Sequence, residues 1–170
     1  MGLARMIRTL TRYNAWADKL MYAAVANLPE GEATKPRETL FRNMVHTLNH
    51  NYVIDRIFQA HLEGQAHDYA ARNTADHPPL QDLWLAQQAL DDWYIGWSDR
   101  ITPSELDERI EFTFVGGGLG CMTRAEMVMH VVNHTSYHRG FVADLFFQVP
   151  ARPPTTDLPI FLRDVKLELD

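Results

Sequence analysis

The 170-residue sequence predicts an all-α protein: a four-helix bundle of the up-down-down-up type, with a small hairpin before the last long helix and a proline-rich C-terminal tail. Three observations predict it. Apolar residues recur at three- and four-residue steps along four long stretches, the spacing of one helical face. The breaks between these stretches collect Pro, Gly, Asn and Asp. Only one short stretch, RIEFTF, alternates apolar and polar residues as a strand does.

The first helix is expected from Leu3 to Leu28, where Ile7, Leu10, Tyr13, Ala17, Leu20, Met21 and Ala24 share a face and Pro29 and Gly31 end the run. A second helix is expected to start near Pro36, since a proline is tolerated in a first turn, and to end at Gly64. Residues 65–79 are polar and hold a Pro-Pro pair, so they read as a surface connection. Leu83, Trp84, Leu90, Trp93, Tyr94 and Trp97 mark a third helix over Leu80 to Ile101, closed by Thr102-Pro103. In RIEFTFVGGGLGCMT the alternation followed by glycines predicts a hairpin. The GGGLG run lacks the Lys-Ser/Thr of a phosphate loop and reads as a turn. TRAE at 123–126 has the Thr-x-x-Glu of a capping box, so the fourth helix starts there and runs to Val149-Pro150. Leu158, Ile160, Phe161 and Leu162 of the tail are available to pack back on the helices.

Length and composition fit one domain spanning residues 1–170, with 46% hydrophobic and 22% charged residues. A net charge of −6 without a basic block gives no electrostatic footprint for nucleic acid. No apolar run approaches the roughly 20 residues of a spanning helix, so no membrane partner is expected. One cysteine, Cys121, cannot form an internal disulfide, and MGLARMIRTLTRY lacks the pattern of a signal peptide, which points to the cytoplasm.

The chemistry concentrates in histidines. HVVNHTSYHRG places His130, His134 and His138 four residues apart, and HTLNH at 46–50 repeats its H-x-x-N-H. At about 100° per residue, His134 and His138 fall within the stripe of Met127, Val131, Phe141 and Leu145, while His130 lies at its edge. Two imidazoles one turn apart on a buried face can reach one ion, and burying them unpaired would cost about 1–3 kcal/mol per polar atom. His50, on a face with Asn43, His46, Val53, Ile54 and Ile57, also looks inward, and a third ligand from a facing helix is how bundle metal sites are built; core histidines satisfied by hydrogen bonds are the alternative. Three neutral imidazoles leave a position open for water or substrate. His46 and His130 remain open as outer partners, alternate ligands or polar packing. His61, His67 and His77 read as exposed. The second helix has another apolar strip, Phe41, Val45, Leu48 and Tyr52, opposite His50, which either other elements such as the tail or a homodimer would cover, the dimer being preferred.

These residues resemble the DinB/YfiT-like family of metalloenzymes, small four-helix-bundle proteins. The resemblance rests on RYNAWADKLMYAAVANLP, TLNHNYVIDRIFQAHLEG, NHTSYHRG and TTDLPIFL, and spans nearly the whole chain. It implies one divalent metal ion per chain, nickel or zinc, held by His50, His134 and His138 in a protein that often dimerises. Tyr137 and Phe141 stand where the family often has a histidine and a polar residue. Asp55, with Arg56, and Arg139 match other family positions and are carried as supporting residues.

The resemblance implies a metal-dependent hydrolase or a small-thiol-dependent transferase or isomerase, with an unknown small-molecule substrate. No carboxylate falls clearly on the His134/His138 face, and Glu126 is a cap, which shifts weight towards a substrate thiolate that needs no protein base. Tyr52, Tyr94 and Tyr137 are candidate hydrogen-bond donors to substrate. The alternative is a non-catalytic metal-binding helical module acting through dimerisation or protein interaction, with His46 or His130 completing the shell.

Overall fold

The computed structural model describes residues 2–167. It is mostly helical, with helices α1 (Leu3–Ala26), α2 (Met44–Glu63), α3 (Leu80–Arg100), α4 (Pro103–Leu106), α5 (Arg124–Leu145) and α6 (Leu158–Asp164), and strands β1 (Arg109–Thr113) and β2 (Leu119–Thr123). Helix α1 packs on α3 and α5, and α2 packs on α5 and α3.

Each start has a local cause. Helix α2 begins at Met44 rather than near Pro36, because the Asn43 side chain accepts the His46 N–H at 2.7 Å and caps the helix there. Residues 36–43 form turns instead, with Arg42 in the left-handed region at φ 69°. At the other end Gly64 caps α2 with φ 66°, a conformation that favours glycine. The capping box at α5 forms as expected: Thr123 N–H donates to Glu126 at 2.7 Å and Glu126 N–H donates to Thr123 Oγ1 at 3.1 Å. A second capping box, Thr102 with Glu105, starts the short α4 where only a chain break was expected.

The hairpin is antiparallel, pairing Arg109 with Thr123 through Thr113 with Leu119. Phe112 faces Gly120 across the register, and a Cβ at Gly120 would lie 2.5 Å from the Phe112 ring. Glycine there lets Phe112 lie over the partner strand and turn inward, where it is buried with Phe58.

Two apolar clusters form the interior. One gathers Ile7, Ile54, Ile57, Phe58, Leu90, Tyr94, Val128 and Val131. The other gathers Met21, Val45, Leu48, Leu83, Val142 and Leu145. Along α1, α3 and α5 buried polar residues separate them: Asn14 and Asp18, Gln87, then Thr135 and Arg139. Val45 and Leu48 are therefore covered within one chain, so the strip on α2 no longer argues for a partner. Among the described tail residues only Phe161 is buried, its ring 5.8 Å from Tyr13 and 5.5 Å from Trp16, while Leu162 is exposed.

Candidate metal centre

His50 on α2 faces His134 and His138 on α5, and one ring nitrogen from each of the three lies within 4.8 Å of the others. His50 Nε2 and His134 Nε2 are 3.1 Å apart. That is close to the spacing of two nitrogens each about 2.0–2.1 Å from one ion at a near-tetrahedral angle. The His134 and His138 ring centroids are 4.5 Å apart, as expected for one turn of α5.

The tautomer of His50 follows from its other nitrogen. Nδ1 is 2.7 Å from the Arg72 carbonyl, which can only accept, so the proton is on Nδ1 and Nε2 carries a bare lone pair towards His134. Nδ1 of His134 and Nδ1 of His138 are buried without hydrogen-bond partners. A cation that takes ring lone pairs fits this donor set.

Electrostatics keep the rings neutral, the form that ligates. Burial, reinforced by His138, His50 and His130, pulls His134 down to about 3. Burial and then His50 pull His138 down to about 4. His50 is lowered chiefly by burial, against the bond to the Arg72 carbonyl. No carboxylate hydrogen-bonds to any of the three rings among the described residues, and none figures among the charges acting on them.

Aromatic side chains ring the cluster. Phe41 stacks on His50 with centroids 4.3 Å apart and lies 5.4 Å from His138, while Phe141 is 5.3 Å from His138. Phe41 was expected on the side opposite His50. It precedes the helix, so the wheel does not apply to it.

The model of the DinB family matches residues 3–165 of this sequence. The chain belongs to the DinB family. It is similar to Protein DinB of Bacillus subtilis (strain 168), at 23% identity over 170 residues that cover 94% of this chain and 95% of the relative. The fold is similar to that of a DinB-like protein from Bacillus cereus ATCC 10987, known from a crystal structure, with a TM-score of 0.63 and 13% identity over 85% of this chain and 91% of the other.

Other predicted residues of this DinB-family chain lie outside the cluster. His46 Nε2 bonds the Thr74 carbonyl at 2.9 Å, facing a loop. The His130 ring sits 4.5 Å from Phe58 and 5.6 Å from His134. Tyr137 is exposed, its ring 5.1 Å from His138. Tyr94 is in the core, where its hydroxyl donates to the Asp55 carbonyl at 2.7 Å, and Tyr52 packs on the apolar clusters.

Asp55 and Arg139 belong to a buried polar network. Arg139 Nη1 donates to Asn14 at 2.8 Å and Asp18 at 2.9 Å, and Asp55 accepts from Thr135 at 3.2 Å and Gln87 at 3.3 Å. Arg56 bonds Gln59 rather than Asp55. His61, expected to be exposed, is buried against Phe112 at 4.7 Å. The Arg72 carbonyl was missed because a backbone acceptor leaves no mark in a sequence.

Proposed function

We propose that this chain is a divalent-metal-dependent enzyme, a hydrolase or a small-thiol-dependent transferase or isomerase, with His50, His134 and His138 as ligands to one nickel or zinc ion. The single observation that carries this is the convergence of three neutral ring nitrogens from two packed helices. An ion bound there supplies Lewis-acid chemistry and lowers the pKa of a coordinated water or thiol.

The chain's own residues bind, orient and exclude water. The Arg72 carbonyl fixes the His50 ring, and Phe41 and Phe141 shield the face above His50 and His138. With no carboxylate at the rings among the described residues to act as general base, a substrate that brings its own acidic thiol suits the site better than one that needs a proton removed by the protein. His46 is engaged by Thr74, which weighs against a filled four-histidine shell and so against the non-catalytic module.

The bundle reading belongs here too. Helices α1 and α5 run from the cluster containing Val128 towards the one containing Val142, and α2 and α3 run the other way, which supports an up-down-down-up arrangement. We propose a cytoplasmic single-domain protein; no helix among the described residues is long and apolar enough to cross a membrane. Homodimerisation is a further proposal, resting on the family resemblance.

The test is a screen of thiol conjugates, esters and amides with protein loaded with zinc or nickel and with chelator-treated protein. Turnover that requires the ion and is lost in His138→Ala supports the enzyme. Absence of any ion-dependent turnover across the panel favours the binding module.

A further inference from the structure

A cavity of ≈ 510 Å³ that the three-histidine centre does not use opens between the loop after α2 and the hairpin. Small-molecule sites span roughly 300–1,000 Å³. A second cavity of ≈ 240 Å³ adjoins it and shares His61, Phe112, Phe114 and Val115 as walls. The smaller one adds Ile54, Ile57, Phe58 and Arg72.

The walls are rings. Phe112 lies 4.7 Å from His61, 5.0 Å from Phe114 and 6.0 Å from Phe58, centroid to centroid, all tilted or edge to face. Such rings present faces and edges to a flat guest. Phe114 is half exposed although its neighbour Phe112 is buried, so the apolar surface does not close on itself.

Among the polar groups of the lining, which include Gln65, Tyr69, Glu111 and Thr113, two stand out. His67 Nδ1, on the larger cavity, is buried with no hydrogen-bond partner. Arg72 has no side-chain hydrogen bond or ion pair among the described residues, in a chain of net charge −6. Burial, followed by His67, lowers His61, which therefore adds no charge near neutral pH. Glu111 lines the larger cavity from the exposed edge of β1, so an anion is favoured at the Arg72 end and disfavoured at the hairpin rim. The Arg72 carbonyl is bonded to His50, which brings the Arg72 end of the cavity to the three histidines.

We propose that the paired cavities bind an aryl carboxylate, with the ring among Phe58, Phe112 and Phe114 and the carboxylate on Arg72. As the substrate side of the metal centre this rests on the metalloenzyme reading; as a binding site it stands without it.

The test uses 1-naphthoate, 1-naphthalenemethanol and 1-naphthylmethylammonium as probes, titrated into zinc-loaded and chelator-treated protein and followed by amide chemical shifts. Naphthoate is expected to saturate, moving amides at His61 and Phe112 to Val115, with the alcohol about tenfold weaker and the ammonium weaker still. Arg72→Gln, at an exposed position, should weaken naphthoate about tenfold and leave the alcohol unchanged, and Phe114→Ala should weaken both. Saturable binding in chelator-treated protein upholds the site even if the metal reading fails. No saturation, shifts confined to the histidine cluster, or equal naphthoate affinity in Arg72→Gln would overturn it.

Discussion

His50 Nδ1 donates to the Arg72 carbonyl across 2.7 Å, joining helix α2 to a loop residue 22 positions later in the chain. The same loop is also pinned to α2 by His46 on the Thr74 carbonyl at 2.9 Å and by Asn49 Nδ2 on Thr74 Oγ1 at 2.7 Å and on Asn73 Oδ1 at 3.4 Å. Groups that orient a ligand through its second nitrogen are worth about 10–100-fold in metal affinity. Asn49→Ala keeps all three imidazoles and loosens the loop, so zinc affinity measured by chelator competition is expected to fall by about tenfold. An unchanged affinity would show that the loop does not hold His50.

The cluster makes the metal-free protein acid-sensitive. His134 titrates at about 3 and His138 at about 4 in the folded chain, both lowered first by burial, against about 6.5 when unfolded. Because the unfolded state binds more protons in that window, their contribution to stability is complete above about pH 6.5 and is lost as pH falls towards the folded values. Urea melts with chelator present should show stability dropping from about pH 6.5 to about pH 4.5, with a shallower drop in His134→Gln. Equal slopes would remove the burial argument.

Asp91 predicts the opposite slope. It accepts one bond, from Gln87 at 3.0 Å, and burial first, then Asp18, holds its carboxyl well above the usual range. A raised folded value means the folded state keeps its proton longer, so stability present below the unfolded value of about 3.9 is lost as pH rises. Asp91→Asn should therefore gain on wild type as pH rises above about 4 towards the raised folded value. A constant difference across that range would contradict this.

Arg139 is 2% exposed and ties α5 to α1 through Asp18 and Asn14. Burial pulls its guanidinium down, and the Asp18 carboxylate more than offsets this and keeps it charged. Arg139→Met strands Asp18 in the interior and is expected to cost about 3–5 kcal/mol in urea unfolding, with Asp18→Asn/Arg139→Met costing less than the single change. A double variant as unstable as the sum of the singles would show that the two residues do not act as a pair.

Much of this was legible in the sequence where a local signal exists. The TRAE capping box, the glycine-bounded hairpin and the i, i+4 phase of His134 and His138 all follow from short-range chemistry, and the structure shows them. The errors arise where tertiary context decides. Pro36 looked like a first turn, yet Asn43, three residues before His46, holds the real cap, and with the start displaced Phe41 crosses to the face of His50. His61 reads as a surface residue in the sequence because Phe112, fifty-one positions later, is what buries it. The pairing of Arg139 with Asp18 depends on which helices pack together, which no single helical wheel contains.

Three histidines from two helices are proposed to hold one ion. Elemental mass spectrometry on tag-free protein, with His50→Ala, His134→Ala and His138→Ala beside wild type, tests it most directly. Wild type is expected to hold about one zinc or nickel per chain, and each variant that still shows the helical circular dichroism of wild type is expected to lose most of it. Negligible ion in wild type after reconstitution with both metals would contradict it and leave the cluster as a buried polar network between α2 and α5.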